Sequence, residues 1–145
     1  MHEKICSFCG HRDVISNNLS EKVEKIICEL IEKHGYNTFY SGHMGEFDEL
    51  CERVVKKLKN KYMNIRLCRI LPYYKHKLSG SFFDEIIIPD LGNVHYKRAI
   101  TARNQWMAKK SDLVLCYIYK DHGGAWTMKK YAEKIEKNCI NAYEN

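Results

Sequence analysis

Apolar positions along the chain switch between alternating or unbroken runs and a spacing near 3.6 residues, and each switch marks an element. Residues 4–8 read as a first strand, left by the turn Cys9-Gly10-His11-Arg12-Asp13. Over 20–34, Val23, Ile26, Ile27, Leu30 and Ile31 share one helical face, with Ser20 as the expected N-cap and Gly35 as the stop. Residues 37–41 form a short aromatic strand. The turn Gly42-His43-Met44-Gly45 leads into a second helix carrying Phe47, Leu50, Cys51, Val54, Val55 and Leu58, which ends near Asn60.

Residues 65–71 make a nearly continuous apolar strand closed by Pro72, and 73–80 a polar, basic and aromatic loop. A short strand is expected over 84–88, a helix over 97–110 and a strand over 113–119. The turn Asp121-His122-Gly123-Gly124 then opens a last helix with Met128, Tyr131, Ala132 and Ile135, before a final strand over 139–142. Strands alternating with helices through short connections imply an α/β fold: a three-layer, Rossmann-like, doubly wound and mostly parallel sheet with right-handed crossovers. Ligands of such sheets lie beyond the carboxyl ends of the strands, where strand order reverses. With 145 residues and no repeat or linker, 1–145 is expected to form a single domain.

Composition narrows the class. Hydrophobic residues at 45% and charged residues at 29% fall in the ordinary globular range, which argues against a disordered chain. No apolar run approaches the roughly 18 to 20 residues of a membrane span, and the amino terminus lacks the pattern of a signal peptide, so a cytoplasmic protein without membrane partners is expected. Seven cysteines are an odd number, several of them at positions where a small hydrophobe would serve, so no disulfide framework is expected. The net charge of +6 favours anionic ligands. Its densest cluster, Lys56, Lys57, Lys59 and Lys61, reads as the solvated face of the second helix, and no nucleic-acid-binding motif accompanies it.

The candidate chemistry sits in three turns that should share one sheet edge: Gly10, His11 and Arg12; Ser41, Gly42, His43, Met44 and Gly45; and His122, Gly123, Gly124, Ala125 and Thr127. Glycine lets backbone approach a ligand, and unpaired N–H groups at a helix start attract phosphate. Glu46, Asp48 and Glu49 follow the second turn. They either complement the helix dipole or supply a carboxylate for ribose hydroxyls, acid and base work or nucleophilic attack. Phe47 between them reads as core. Arg103, beside Asn104, falls near the buried edge of its helix, where a guanidinium needs an anionic partner such as a phosphate or a carboxylate of the second turn. Cys6, Cys9 and His11 have a metal-like spacing. Two thiols three apart on a strand diverge, however, and no second ligand pair follows, so neither a metal nor a redox site is expected.

Cys9-Gly10-His11-Arg12, Ser41 to Asp48, Arg103-Asn104-Gln105-Trp106-Met107 and Gly123-Gly124-Ala125-Trp126-Thr127, continuing through Tyr131-Ala132, together resemble the SLOG superfamily. This is the group of Rossmann-like domains that includes the lonely-guy phosphoribohydrolases and DNA-processing protein A, and the likeness is closest to its small bacterial and phage stand-alone members. The resemblance implies a nucleotide-derived ligand, with Gly42, Gly45, Gly123, Gly124 and Thr127 around phosphate or ribose and Arg103 at the position of the lonely-guy active-site arginine. It also implies self-association, at least as a homodimer. The lonely-guy motif PGGxGTxxE is broken here: Trp126 replaces its third glycine and Lys130 its catalytic glutamate.

Three functions follow as expectations. One is a binding module that senses or sequesters a nucleotide signal, such as an ADP-ribose derivative or a cyclic nucleotide, as SLOG domains in bacterial defence do. It needs no cofactor. Another is an N-glycosidase acting on nucleoside monophosphates, with Arg103 and Glu46, Asp48 or Glu49 as its catalytic groups. The last, binding of single-stranded nucleic acid through Tyr73, Tyr74 and Lys75, ranks below both because the basic residues are dispersed.

Overall fold

The computed structural model describes residues 2–74 and 82–144. Its elements are β1 (Ile5–Gly10), α1 (Leu19–His34), β2 (Thr38–Ser41), α2 (Glu46–Leu58), β3 (Arg66–Ile70), β4 (Glu85–Ile87), a 3-10 turn (Tyr96–Arg98), α3 (Ala99–Lys110), β5 (Leu113–Tyr117), α4 (Gly124–Lys134) and β6 (Asn138–Asn141). One sheet runs β4-β3-β2-β1-β5-β6 with every pairing parallel. The doubly wound α/β expectation therefore holds.

Strand alternation builds the two sides of the sheet. Phe8, Phe39, Leu67 and Leu115 face one side, where they pack with Val23, Ile27, Phe47 and Val55 of α1 and α2. Their neighbours Cys9, Tyr40, Cys68 and Cys116 face the other, against Met107 and Ala108 of α3 and Met128 and Ala132 of α4. Cys6 belongs to the first cluster and Cys9 to the second, so the two thiols of the metal-like spacing point to opposite sides of the sheet.

Several boundaries move. β1 extends to Gly10 because Cys9 and Gly10 pair with Cys116 and Tyr117, and β5 stops at Tyr117. Asn141 ends that ladder: its side-chain amide bonds both the N–H and the carbonyl of Ile118 at 3.0 and 3.1 Å. The cap of α1 is Asn18 in a left-handed conformation, not Ser20, which lies inside the first turn. Gly35 does stop α1, at φ +73 with its N–H on the Leu30 carbonyl. Of the aromatic and basic cluster assigned to nucleic acid, Lys75 lies outside the described residues, as does most of the 73–80 loop. Among the described residues no helix is long and apolar enough to cross a membrane.

Candidate functional site

Strand order reverses between β1 and β5, which are sheet neighbours although three strands and three helices separate them in the chain. Their carboxyl ends open a cleft of about 370 Å³, the position the topology favours for a ligand. Gly10 at the end of β1 and residues 11–13 after it, Gly42 and Met44 after β2, Lys120 and 122–125 after β5, and Ile100, Arg103, Asn104 and Met107 of α3 help form its walls.

Arg103 is 1% exposed. Its Nη1 donates to the carbonyls of Gly42 (3.3 Å) and Ile70 (2.9 Å), and its Nε donates to Asn104 Oδ1 (2.9 Å). Nη2 has no hydrogen-bond partner among the described residues. The expected anionic partner is thus a countercharge at a distance. Burial pulls the guanidinium down from its ordinary value while the Asp48 charge opposes that effect, and an arginine stays protonated under both.

Asp48 is the one acid of the second turn that reaches the cleft. Its Oδ2 accepts from the Met44 N–H at 2.8 Å, and its Oδ1 is buried without a partner among the described residues. Burial pushes the carboxyl from 3.8 up to about 7, against the pull of the Met44 N–H and the Arg103 charge. Glu46 instead sits on the surface, where its Oε1 accepts from the Val14 N–H at 2.8 Å and clasps the segment after β1. Glu49 is absent from the cleft walls. The acidic first turn of α2 thus splits: Asp48 belongs to the cleft wall, Glu46 and Glu49 do not.

Ser41 and His43 brace the site from behind. The Ser41 hydroxyl donates to Glu52 Oε2 at 2.6 Å, its oxygen accepts from the His43 N–H at 3.1 Å, and His43 Nδ1 lies 2.9 Å from both Glu52 oxygens. Glu52 is 2% exposed and went unnoticed in the sequence. The available signal was its place, four residues after Asp48, on the apolar stripe between Cys51 and Val55.

His11 closes the opposite wall. Its Nε2 accepts from the Lys120 N–H at 3.2 Å, which leaves the ring proton on Nδ1, and its edge meets Tyr119 at 4.6 Å between ring centres. Burial and then the Lys120 charge lower its pKa, so the ring is held neutral. Arg12 is locked to the second turn: its carbonyl accepts from the Glu46 N–H at 2.8 Å, and a Cβ on Gly45 (φ +124) would stand 2.6 Å from the Arg12 Cα. Gly10 lines the cleft, yet its lack of a side chain answers to packing, since a Cβ there would lie 2.3 Å from the Phe47 ring.

The third turn presents the start of α4. Gly123 caps it at φ +98 and, with Gly124 and Ala125, forms the cleft wall, while His122 stands exposed at the rim. Thr127 donates its hydroxyl to the Gly123 carbonyl at 3.0 Å and faces an adjoining cavity, not the cleft. Lys130, where the lonely-guy enzymes carry glutamate, is exposed with its ammonium 5.5 Å from the Trp126 ring centre. Lys120, Ile100, Met107 and Met128 also line the cleft. None of the four was assigned to the site from the sequence, because their residue types equally suit a surface or a core.

No protein-family model and no curated protein sequence matches the chain. Solved structures do. The molybdenum cofactor binding protein of Rippkaea orientalis superimposes with a TM-score of 0.66 at 21% identity, over 97% of this chain and 77% of that one. The molybdenum cofactor carrier protein of Chlamydomonas reinhardtii gives 0.62 at 14% identity, over 97% and 76%. DNA processing protein A of Streptococcus pneumoniae gives 0.66 at 17% identity, over 94% of this chain and 49% of that one, so the chain spans about half of it. Six parallel strands wound about the β1–β5 switch point thus give this chain the fold shared by the molybdenum cofactor carrier proteins and DNA processing protein A.

Proposed function

We propose that the chain binds a nucleotide-derived, phosphate-bearing small molecule in the β1–β5 cleft and holds it, as a sensor or a sequestering protein. The carrying observation is the convergence on one cleft of the α4 N-terminus, buried Arg103 and the neutral, fixed ring of His11. First-turn N–H groups lack helical partners and the helix dipole favours an anion there, while guanidinium and imidazole N–H groups add directional donors. Two structures with this fold, a molybdenum cofactor binding protein and a molybdenum cofactor carrier protein, support a holding role. A homodimer is part of the same reading, and sedimentation of the purified chain tests it.

Thermal denaturation with nucleoside mono- and diphosphates, ADP-ribose and cyclic dinucleotides tests the binding. At least one phosphorylated compound should raise the melting temperature while its parent nucleoside does not, and the rise should shrink in Arg12→Ala and Lys120→Ala. A flat response to the whole set overturns the proposal.

One observation favours a second reading, N-glycoside cleavage of a nucleoside monophosphate. Asp48, a residue of the cleft wall, combines a carboxyl near 7, suited to acid and base work at neutral pH, with a buried Oδ1 that has no partner among the described residues. Free base released by the wild type and not by Asp48→Asn would establish it. No release over hours removes it.

A further inference from the structure

Cys9 and Cys116 stand opposite each other, in register, on the neighbouring strands β1 and β5, with both side chains on the α3–α4 side of the sheet. Directly paired residues of neighbouring strands lie about 4.8 Å apart, inside the roughly 4.4 to 6.8 Å over which a disulfide joins two Cα atoms. The Cys116 thiol is within hydrogen-bonding reach of the Cys9 thiol and of that of Cys139 on β6. Cys139 pairs with Val114, two positions short of Cys116, so Cys9 is the neighbour in register. Cys116 is fully buried. Cys9 belongs to the cleft wall, and its thiol donates to the Ala125 carbonyl in the first turn of α4 at 3.1 Å.

We propose that Cys9 and Cys116 are a reactive dithiol: a hydroperoxide entering the cleft oxidises Cys9, Cys116 closes a disulfide, and the first turn of α4 loses a tie to β1. With hydrogen peroxide, the Cys9 sulfur attacks one oxygen, the O–O bond breaks, and a sulfenic acid and one water form. The Cys116 sulfur then displaces the sulfenic hydroxyl, which leaves with the Cys116 proton as a second water. Two electrons pass from the two thiols to the peroxide. Position sets these sulfurs apart. Arg12, Arg103 and Lys120 share the cleft wall with Cys9, and thiols react in partly open, electropositive surroundings while those of an apolar core stay inert. Cys6 and Cys51 are such core thiols, packed on the α1–α2 side, where burial pushes both up from the ordinary thiol value. A disulfide uses up the hydrogen that Cys9 gives to Ala125, so oxidation acts on the turn that Gly124 and Ala125 contribute to the cleft wall. None of this chemistry requires a bound nucleotide, so it stands or falls apart from the binding function proposed above.

Peroxide treatment of the purified chain, followed by alkylation, digestion without reductant and mass spectrometry, tests the dithiol. A cross-linked peptide lighter by two hydrogens than its parts is expected, with fragmentation placing the link between Cys9 and Cys116 and not on Cys6, and with dithiothreitol reversing it. Cys116→Ser should leave Cys9 as a sulfenic acid that dimedone captures, and Cys9→Ser should leave Cys116 reduced. The wild-type peptide map decides even where a serine variant fails to fold. Hydrogen exchange over the first two turns of α4 should quicken in the oxidised protein and recover on reduction, while that of α1 holds. Cys9 and Cys116 both still alkylated after peroxide, or a link formed by Cys6 or Cys51 instead, overturns the proposal. A Cys9–Cys116 link without any change in α4 exchange overturns the effect on the helix.

Discussion

A Cβ on Gly42 would stand 2.9 Å from the Arg103 Cζ, and the Gly42 carbonyl accepts from Nη1 of the same guanidinium at 3.3 Å. Glycine at 42 therefore makes room for the arginine and also helps to hold it. Gly42→Ala should displace the guanidinium, lowering stability by about 2 kcal/mol and the melting temperature by roughly 4–8 °C. Urea unfolding measures the first and calorimetry the second. Wild-type stability in this variant would mean that Arg103 has another place to go.

Asp48 sets a pH dependence whose sign follows from its burial. In the unfolded chain an aspartate loses its proton near 3.8, whereas the folded protein keeps it to about 7. Between those values the folded state binds the extra proton, so stability falls as pH rises through that window and levels off above it. One pKa unit is about 1.4 kcal/mol, which puts this cost on the order of 4 kcal/mol above pH 7. Asp48→Asn should flatten the dependence and be the more stable protein at pH 8. Denaturant unfolding at pH 5 and pH 8 decides it, and parallel behaviour of the two proteins would contradict the burial argument.

Tyr117 is fully buried, and its hydroxyl accepts from the N–H groups of Ile15 (3.1 Å) and Ser16 (3.0 Å). That single oxygen ties the segment after β1 to the end of β5. Tyr117→Phe leaves both donors without it, a loss of about 1–3 kcal/mol. Hydrogen exchange at Ile15 and Ser16 should accelerate well beyond that at the sheet. Uniform acceleration would mean that the effect is global instead.

Glu52 holds the second turn through Ser41 and His43. Glu52→Gln keeps the shape but exchanges one acceptor oxygen for a donor, and should cost about 1–3 kcal/mol. Because the brace positions Gly42 and Met44 in the cleft wall, ligand-induced stabilisation should fall as well. A stability loss without any change in that response would separate the brace from the site.

Much of this was legible along the chain. The switches of apolar period located the six strands and four α-helices of the described residues to within a few positions, because a strand or helix shows its buried face as a simple spacing. The glycine-bearing turns share one sheet edge for the same reason: parallel strands put every strand-to-helix turn on one side. Boundaries were less legible. Asn18 as cap and Gly10 as the last residue of β1 depend on a left-handed residue and a cross-strand partner that spacing does not encode.

Sequence by itself determined the alternation of elements, the one sheet edge shared by the glycine-bearing turns and the burial of Arg103, since each follows from local pattern and chain direction. Only the tertiary structure decided what each marked residue does there. Asp48, Glu46 and Glu49 share one helical turn, yet α2 packed on the sheet aims the first into the cleft and sends the second to Val14. Gly10 lacks a side chain because Phe47, thirty-seven positions away, lies over it. The cavity beside Thr127 exists because α3 and α4 meet over the sheet. These outcomes depend on the direction and distance of groups far apart in the chain, which no local spacing contains.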